Sequence, residues 1–336
     1  MPELWYEDFV VGDVKDFQAP RAITKDEILR YAETYDPQPF HLDEKAGAQS
    51  MLGGLAASGW HTACFVMRVN YDCWLNRTAS MGAPGIDELK WLRPVRPGDQ
   101  LTVRRRIEHK RVSKTRPDMG LVSMTCDVFN QSGEAVLMQK HTQLIELRHP
   151  QGDPQPQPPA EAKEPPRYAP PPAPTRPYTG FLEDIETGAY TRLGEAHFSR
   201  ESIVGFAQLY DPQRFHLSEE EARNSHFGAL AASGWQTASF WMRNYVLTRA
   251  RQQAQAQASN APFAQGGPSP GFTHLRWIKP VFVGDTIVYG AETLETRATS
   301  KPGWGLVFSR NTGVNQHGEL VFEFRGCGFV PTRAKA

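Results

Sequence analysis

The chain is poor in cysteine and has no surplus of charge. Its four cysteines, Cys64, Cys73, Cys126 and Cys327, fall in no CxxC or zinc-like spacing along 336 residues. That argues for a reduced, cytosolic setting, against a disulfide framework, and against a structural or catalytic metal. Lysine plus arginine (37) equals aspartate plus glutamate (37), so no global field draws the molecule to nucleic acid, an anionic membrane or an acidic partner. No apolar run approaches the length of a membrane span. The opening MPELWYEDFVVGD is acidic where a signal peptide has a basic stretch and an apolar core. Without a GxGxxG, Walker or GxSxG pattern, the signals for nucleotide-dependent or serine-nucleophile chemistry are missing too.

What the chain does have is a long internal repeat. Asp36 and Asp211, His41 and His216, Gly59 and Gly234, and Arg68 and Arg243 are each 175 positions apart, and GLAASGWHTACFVMR answers to ALAASGWQTASFWMR. Further on, GIDELKWLRPVRPGD matches GFTHLRWIKPVFVGD at an offset of 186, because the second copy carries the extra RQQAQAQASNAP, read as a helix extension followed by a loop. A unit of this length is a duplicated domain rather than a solenoid repeat. The expected organisation is a first domain at 1–147, a proline-rich linker at 148–179 and a second domain at 180–336. Proline removes amide donors and favours extended backbone, so the linker reads as a stiff, solvated tether rather than as a ligand for an SH3-type domain.

Each copy has the same order of elements. A short helix follows a cap at Thr24 or Ser199, and only the first copy has the acidic residue, Glu27, that completes a capping box. The Asp-Pro step ends this helix, because proline disfavours helical geometry in the residue before it. The stretch from Asp to His is then expected to be an irregular loop. After it, a mostly apolar helix starts at the Ser-Gly step and must be buried on several sides. The remainder alternates with the two-residue period of strands, with hairpin turns at NQSGE and NQHGE. A long buried helix followed by a meander of long strands suggests a sheet curled around that helix.

The chemistry lies in YDPQPFHLDE and YDPQRFHLSE, which hold a carboxylate five positions before an imidazole. Such a pair can share one water, and histidine serves as acid or base at neutral pH. A single placed group supplies only about 10²- to 10⁴-fold, so a second element is needed. Proton exchange beside a thioester carbonyl puts negative charge on its oxygen, which amides at a helix N-terminus can stabilise. Ser58-Gly59-Trp60 and Ser233-Gly234-Trp235 stand where that helix begins. Gly59 and Gly234 could equally permit tight helix packing, and Gln38 and Gln213 could fix the loop or touch the substrate. His61 faces Gln236 and His226 faces Met51 in the repeat, so both read as polar fillers. In the basic run VRRRIEHKR, the strand period puts Arg104 and Arg106 on one face and Arg105 on the other, as on a solvated sheet face or a local patch for phosphates rather than a nucleic-acid surface.

The order Asp-Pro-Gln-x-Phe-His, LAASGW and G-x-x-x-L-(K/R)-W-(L/I)-(R/K)-P-V-x-x-G-D resembles the MaoC-like, or R-specific enoyl-CoA hydratase, family over almost the whole of both copies. The resemblance implies an α+β fold of two hot dog domains, each a long antiparallel sheet wrapped around a central helix, paired as an intrachain pseudo-dimer that could associate further. It implies catalytic roles for Asp36, His41, Asp211 and His216, and substrate contacts for Gly59, Gly234, Gln38, Gln213, Trp60 and Trp235. The expected activity is reversible hydration of 2-enoyl-CoA to 3-hydroxyacyl-CoA, a hydro-lyase reaction whose coenzyme A is part of the substrate and which needs no separate cofactor. Here glutamine replaces the family's Asn, the proline stands one place earlier, and Trp replaces the Met of its His-Gly-Met step. Two alternatives are an acyl-CoA thioesterase on the same fold and a non-catalytic acyl-CoA binder.

Overall fold

The computed structural model describes residues 2–150 and 167–333. The first half runs β1 (Val14–Gln18), α1 (Lys25–Tyr35), α2 (Pro39–Leu42), α3 (Glu44–Gln49), α4 (Gly59–Cys73), β2 (Gly85–Trp91), β3 (Thr102–Val112), β4 (Met119–Phe129) and β5 (Ala135–Glu146). The second repeats that order as β6 (Tyr190–His197), α5 (Arg200–Tyr210), α6 (Arg214–Leu217), α7 (Glu219–Arg223), α8 (Gly234–Ala258), β7 (Gly271–Trp277), β8 (Thr286–Ala298), β9 (Trp304–Val314) and β10 (Leu320–Pro331). The insertion extends α8 by continuing the helix through its Gln/Ala-rich stretch, which contains good helix formers.

Local chemistry sets the boundaries. Thr24 accepts from the Glu27 amide while the Glu27 side chain reaches back to the Thr24 amide, whereas Ser199 caps α5 without a reciprocal acid. Asp36 and Asp211 are the C-caps of α1 and α5, placed there by the prolines that follow. The segment expected to be irregular instead contains one helical turn, α2 or α6, that carries the histidine. Pro39 is tolerated because it sits at the first turn of α2, where its missing N–H has no partner to lose.

The ten strands form one sheet in the order β1-β3-β4-β5-β2-β7-β10-β9-β8-β6. Its centre is the antiparallel pair β2–β7, where Gly85 faces Arg276, Leu89 faces Phe272 and Lys90 faces Gly271. These partners exchange under the repeat offset, so the two halves meet about a local twofold axis. A β-carbon on Gly85 would strike the Leu275 carbonyl, and one on Gly271 (φ +150°) would strike that of Leu89. Glycine is therefore required on both sides of the seam. One hydrophobic core runs through both halves, drawing Trp60, Phe65 and Val66 from α4, Trp235 and Trp241 from α8, and Leu89, Phe272 and Leu275 from the seam strands.

Polar contacts add to the join. The Tyr31 hydroxyl lies 2.7 Å from Ser239 Oγ of the other half. Arg68 donates to the carbonyls of Gln208 and Leu209 (2.8 and 3.3 Å), and Arg243 donates to that of Thr34 (2.5 Å). Each repeat-equivalent arginine thus neutralises the negative end of the helix that delivers the other half's aspartate.

Of the linker at 148–179, residues 151–166 lie outside the described residues. Residues 167–179 run along the second half, with Tyr168 N–H donating to the Gly318 carbonyl and Tyr190 N–H to that of Pro172 (both 2.8 Å). In the basic run Arg104 is held by Asp16 at 2.8 Å, Arg106 lies 3.8 Å from Glu108, and Arg105 is buried against Phe9, Phe17 and Trp74. Cys64 and Cys126 are buried free thiols, and burial pushes both up to about 12. Among the described residues no group of three or more His, Cys, Asp or Glu side chains could hold a metal, and no helix is long and apolar enough to cross a membrane.

His61 is fully buried, stacked on Tyr31 at 4.6 Å, with neither ring nitrogen hydrogen bonded; burial pushes it down to about 3. The folded state therefore refuses a proton that the unfolded chain accepts below about pH 6.5. Stability present above that pH is lost progressively as pH falls towards 3. His61→Gln copies Gln236 of the second half, and between pH 7 and pH 5 it should remove up to about 2 kcal/mol of the acid-induced loss. Denaturant melts of wild type and variant at both pH values measure this, and equal acid sensitivity contradicts it.

Candidate functional site

Each half brings its aspartate, histidine and Ser-Gly step together at the end of its first helix. His41 Nε2 lies 3.6 Å from Asp36 Oδ2, and His216 Nε2 lies 3.5 Å from Asp211 Oδ2. All four side chains are buried. Ser58 Oγ donates to Asp36 Oδ2 (2.5 Å) and Ser233 Oγ to Asp211 Oδ2 (2.6 Å). Gln38 and Gln213 donate to the opposite oxygens, at 2.9 and 3.0 Å. Both glutamines thus orient their own carboxylate.

His41 Nδ1 lies 2.8 Å from the Ala56 carbonyl, and His216 Nδ1 lies 2.8 Å from that of Ala231. A carbonyl only accepts, so Nδ1 carries the hydrogen and the ring is held with Nε2 turned towards the aspartate. The separation of about 3.5 Å is too long for a good direct hydrogen bond, leaving Nε2 and Oδ2 free to hold one water between them.

Ser58 and Ser233 also cap α4 and α8 by accepting from the amides of Trp60 and Trp235, at 3.2 Å. The Gly59 and Gly234 amides have no acceptor among the described residues and can serve an oxyanion. The same glycines also permit close packing, since a β-carbon on either would strike the indole of Trp91 or Trp277. Trp91 Nε1 donates to the Gly59 carbonyl at 2.9 Å, whereas Trp277 Nε1 is buried without a partner.

The two pairs are nearly superimposable in chemistry but open into different spaces. Asp36, Gln38, His41, Gly59 and Trp60 line a cavity of about 930 Å³, whereas Asp211, Gln213, His216, Gly234 and Trp235 line one of about 250 Å³. Both cavities are walled by strands of the opposite half. The first is closed by Ser309 and Asn311 of β9 and by Phe324, Gly326 and Gly328 of β10. At the repeat-equivalent positions of β5, the second has Gln139, His141 and Gln143. Two glycines in one wall thus correspond to an imidazole and an amide in the other.

That polar plug is tied down. Gln139 Nε2 lies 3.1 Å from His141 Nδ1, and Gln143 Nε2 donates to Ser80 Oγ (2.9 Å) and the Gly82 carbonyl (2.8 Å). Ser80 in turn donates to Gln213 Oε1 at 2.8 Å, where the other half has Gly266. Burial pushes His141 down to about 4, so it sits in the wall as a neutral ring. Neither His61 nor His226 has a carboxylate within ion-pair distance among the described residues. His61 is packed between tyrosines, and His226 lies against Phe227 (4.0 Å) at the edge of the smaller cavity.

Sequence reasoning missed Ser58 and Ser233 as partners of the aspartates, although the repeated AASGW contained them. It also missed the plug, visible on setting QKHTQL against FRGCGF.

Residues 8–125 match the family model described as a MaoC like domain. A MaoC-like dehydratase from Rhodospirillum rubrum is 39% identical, covering 44% of this chain and 99% of that one, with a TM-score of 0.39. A conserved hypothetical protein of Mycobacterium tuberculosis with a double hotdog fold superimposes with a TM-score of 0.69, at 15% identity, over 97% of this chain and 98% of that one. Mesaconyl-CoA hydratase of Cereibacter sphaeroides is 37% identical over 54 residues, 16% of each chain. The fold is accordingly the double hot dog expected from the sequence.

Combining His141→Gly with Gln143→Gly should open the space that the two side chains fill and enlarge the smaller cavity beyond its present volume of about 250 Å³. The lost buried hydrogen bonds should cost about 1–3 kcal/mol. A crystal structure of the double variant checks the first and a denaturant melt the second; a cavity still near 250 Å³ shows that other residues keep it closed.

Proposed function

We propose that this chain, which belongs to the MaoC-like dehydratase family, adds water reversibly across the double bond of a 2-enoyl thioester of coenzyme A, and does so at Asp36 and His41. The family and its hydratase relative support a hydro-lyase reaction. One observation carries the choice of site: the larger cavity alone combines an aspartate–histidine pair, an unengaged glycine amide and room for a pantetheine-linked acid.

In the hydration direction a water sits against Asp36 Oδ2 and His41 Nε2, the two atoms left 3.6 Å apart. Its oxygen attacks the β-carbon while one of these bases takes its proton. Electron density shifts through the double bond to the thioester carbonyl, whose oxygen gains charge and is met by the Gly59 amide. A proton delivered by the pair to the α-carbon completes the addition of one water, and dehydration retraces the steps. Ser58 and Gln38 keep the carboxylate aimed at the water, and the Ala56 carbonyl fixes the imidazole so that Nε2 faces it. Trp60 forms part of the acyl wall. The Asp211–His216 pair has the same internal geometry but too little open volume for a thioester beside it.

The test separates the halves. Asp36→Asn and His41→Ala should each lower kcat/KM for enoyl-CoA hydration by at least about 10³-fold, whereas Asp211→Asn and His216→Ala should change it by less than about threefold. Equal losses on both sides overturn the assignment to one site. Hydration is followed by loss of enoyl absorbance alongside a free-thiol reagent. Release of coenzyme A instead identifies the thioesterase, and binding without turnover across a panel of acyl lengths identifies the non-catalytic binder.

A further inference from the structure

The large cavity extends well beyond the aspartate and histidine, along one face of α8. Trp241, Tyr245 and Arg249, spaced four residues apart, all line it. Trp241 lies 6.1 Å from Trp60 and stacks on Tyr245 at 5.3 Å, and the Arg249 guanidinium lies over Tyr245 at 4.9 Å and over Tyr178 at 3.7 Å. Eight residues of helix place Arg249 about 12 Å further along the cavity than Trp241.

This cation lacks an anion. No carboxylate lies within ion-pair distance of it among the described residues. Nη1 donates to Gln252 Oε1 at 2.8 Å, Nε is buried without an acceptor, and Nη2 has none among the described residues. The acids nearby are already engaged: Asp184 by Thr179 and Arg333, Glu186 by Thr175 and the Arg176 amide. The repeat does not require a cation here, because the equivalent residue of the first half is Trp74, whose Nε1 donates to Asn70. Two tyrosine faces hold the guanidinium plane and leave the Nε–Nη2 edge, the fork that matches a carboxylate or phosphate in two parallel hydrogen bonds.

We infer that Arg249 is an oxyanion subsite of the Asp36–His41 cavity, taking either a carboxylate at the far end of the acyl group or a phosphate of coenzyme A. This rests on the hydratase reading for its ligand class. Arg249 touches the distal anion and takes no part in the addition of water.

The experiment uses the full chain with Arg249→Gln and Arg249→Lys, and four enoyl thioesters: methyl-ended and carboxylate-ended acyl groups of equal length, each on coenzyme A and on phosphate-free pantetheine. Arg249→Gln should lower kcat/KM about tenfold to hundredfold, mainly through KM, for substrates carrying the recognised anion only. Loss confined to carboxylate-ended substrates identifies the acyl carboxylate, and loss confined to coenzyme A thioesters identifies a phosphate. Arg249→Lys should recover part of that loss, because it keeps the charge without the fork. An equal effect on all four substrates, or none, overturns the subsite.

If wild type turns over none of them, the hydratase reading fails separately. Calorimetric binding of coenzyme A and of a free dicarboxylate to wild type and Arg249→Gln then decides: at least tenfold weaker binding of one anion upholds the subsite, and unchanged binding of both overturns it. A merely structural arginine would lower the melting temperature without discriminating among the substrates.

Discussion

The antiparallel contact between β2 and β7 is the constraint on which the rest depends. Two backbones approach there so closely that Gly85 and Gly271 admit no side chain. That approach makes one sheet from two copies and fixes their twofold relation. The relation sets each aspartate–histidine pair beneath the other half's strands, so neither cavity could be completed by one half alone. The paired arginines, Arg68 and Arg243, reinforce it at the helix ends from which the aspartates emerge.

Within this frame the polar chemistry is local and short. A proline stops the helix, one helical turn brings the histidine back, and a serine at the start of the next helix both caps it and orients the carboxylate. The Ala56 and Ala231 carbonyls select the ring tautomer. All of this is duplicated faithfully, but the strands opposite the two pairs differ. Gly326 and Gly328 leave open the space that His141 and Gln143 fill.

Much of this was legible in the sequence because it is written in short range. Caps, prolines, alternation and the duplicated Asp-x4-His act within a few residues of themselves, so the element order, the two-domain fold and the candidate pairs could be read directly. The cavities could not, because their walls join residues nearly three hundred positions apart, such as Asp36 with Phe324. The helical turn containing His41 was hidden by two prolines, which read as an irregular loop when one of them in fact begins the turn. Arg249 lay just ahead of a helix extension whose glutamines and alanines carried no chemical signal, and its partner Tyr178 lay in what read as solvated tether.

Joining the two copies in one polypeptide has a consequence for how the unequal walls could arise. In a homodimer every substitution lands on both sides of the symmetry axis at once, so a glycine lost from one pocket is lost from its twin. Here residues 141 and 143 have codons of their own, which can change independently of those for 326 and 328. One pocket can therefore be filled, gaining packing and hydrogen bonds for the shared core, while the other stays hollow.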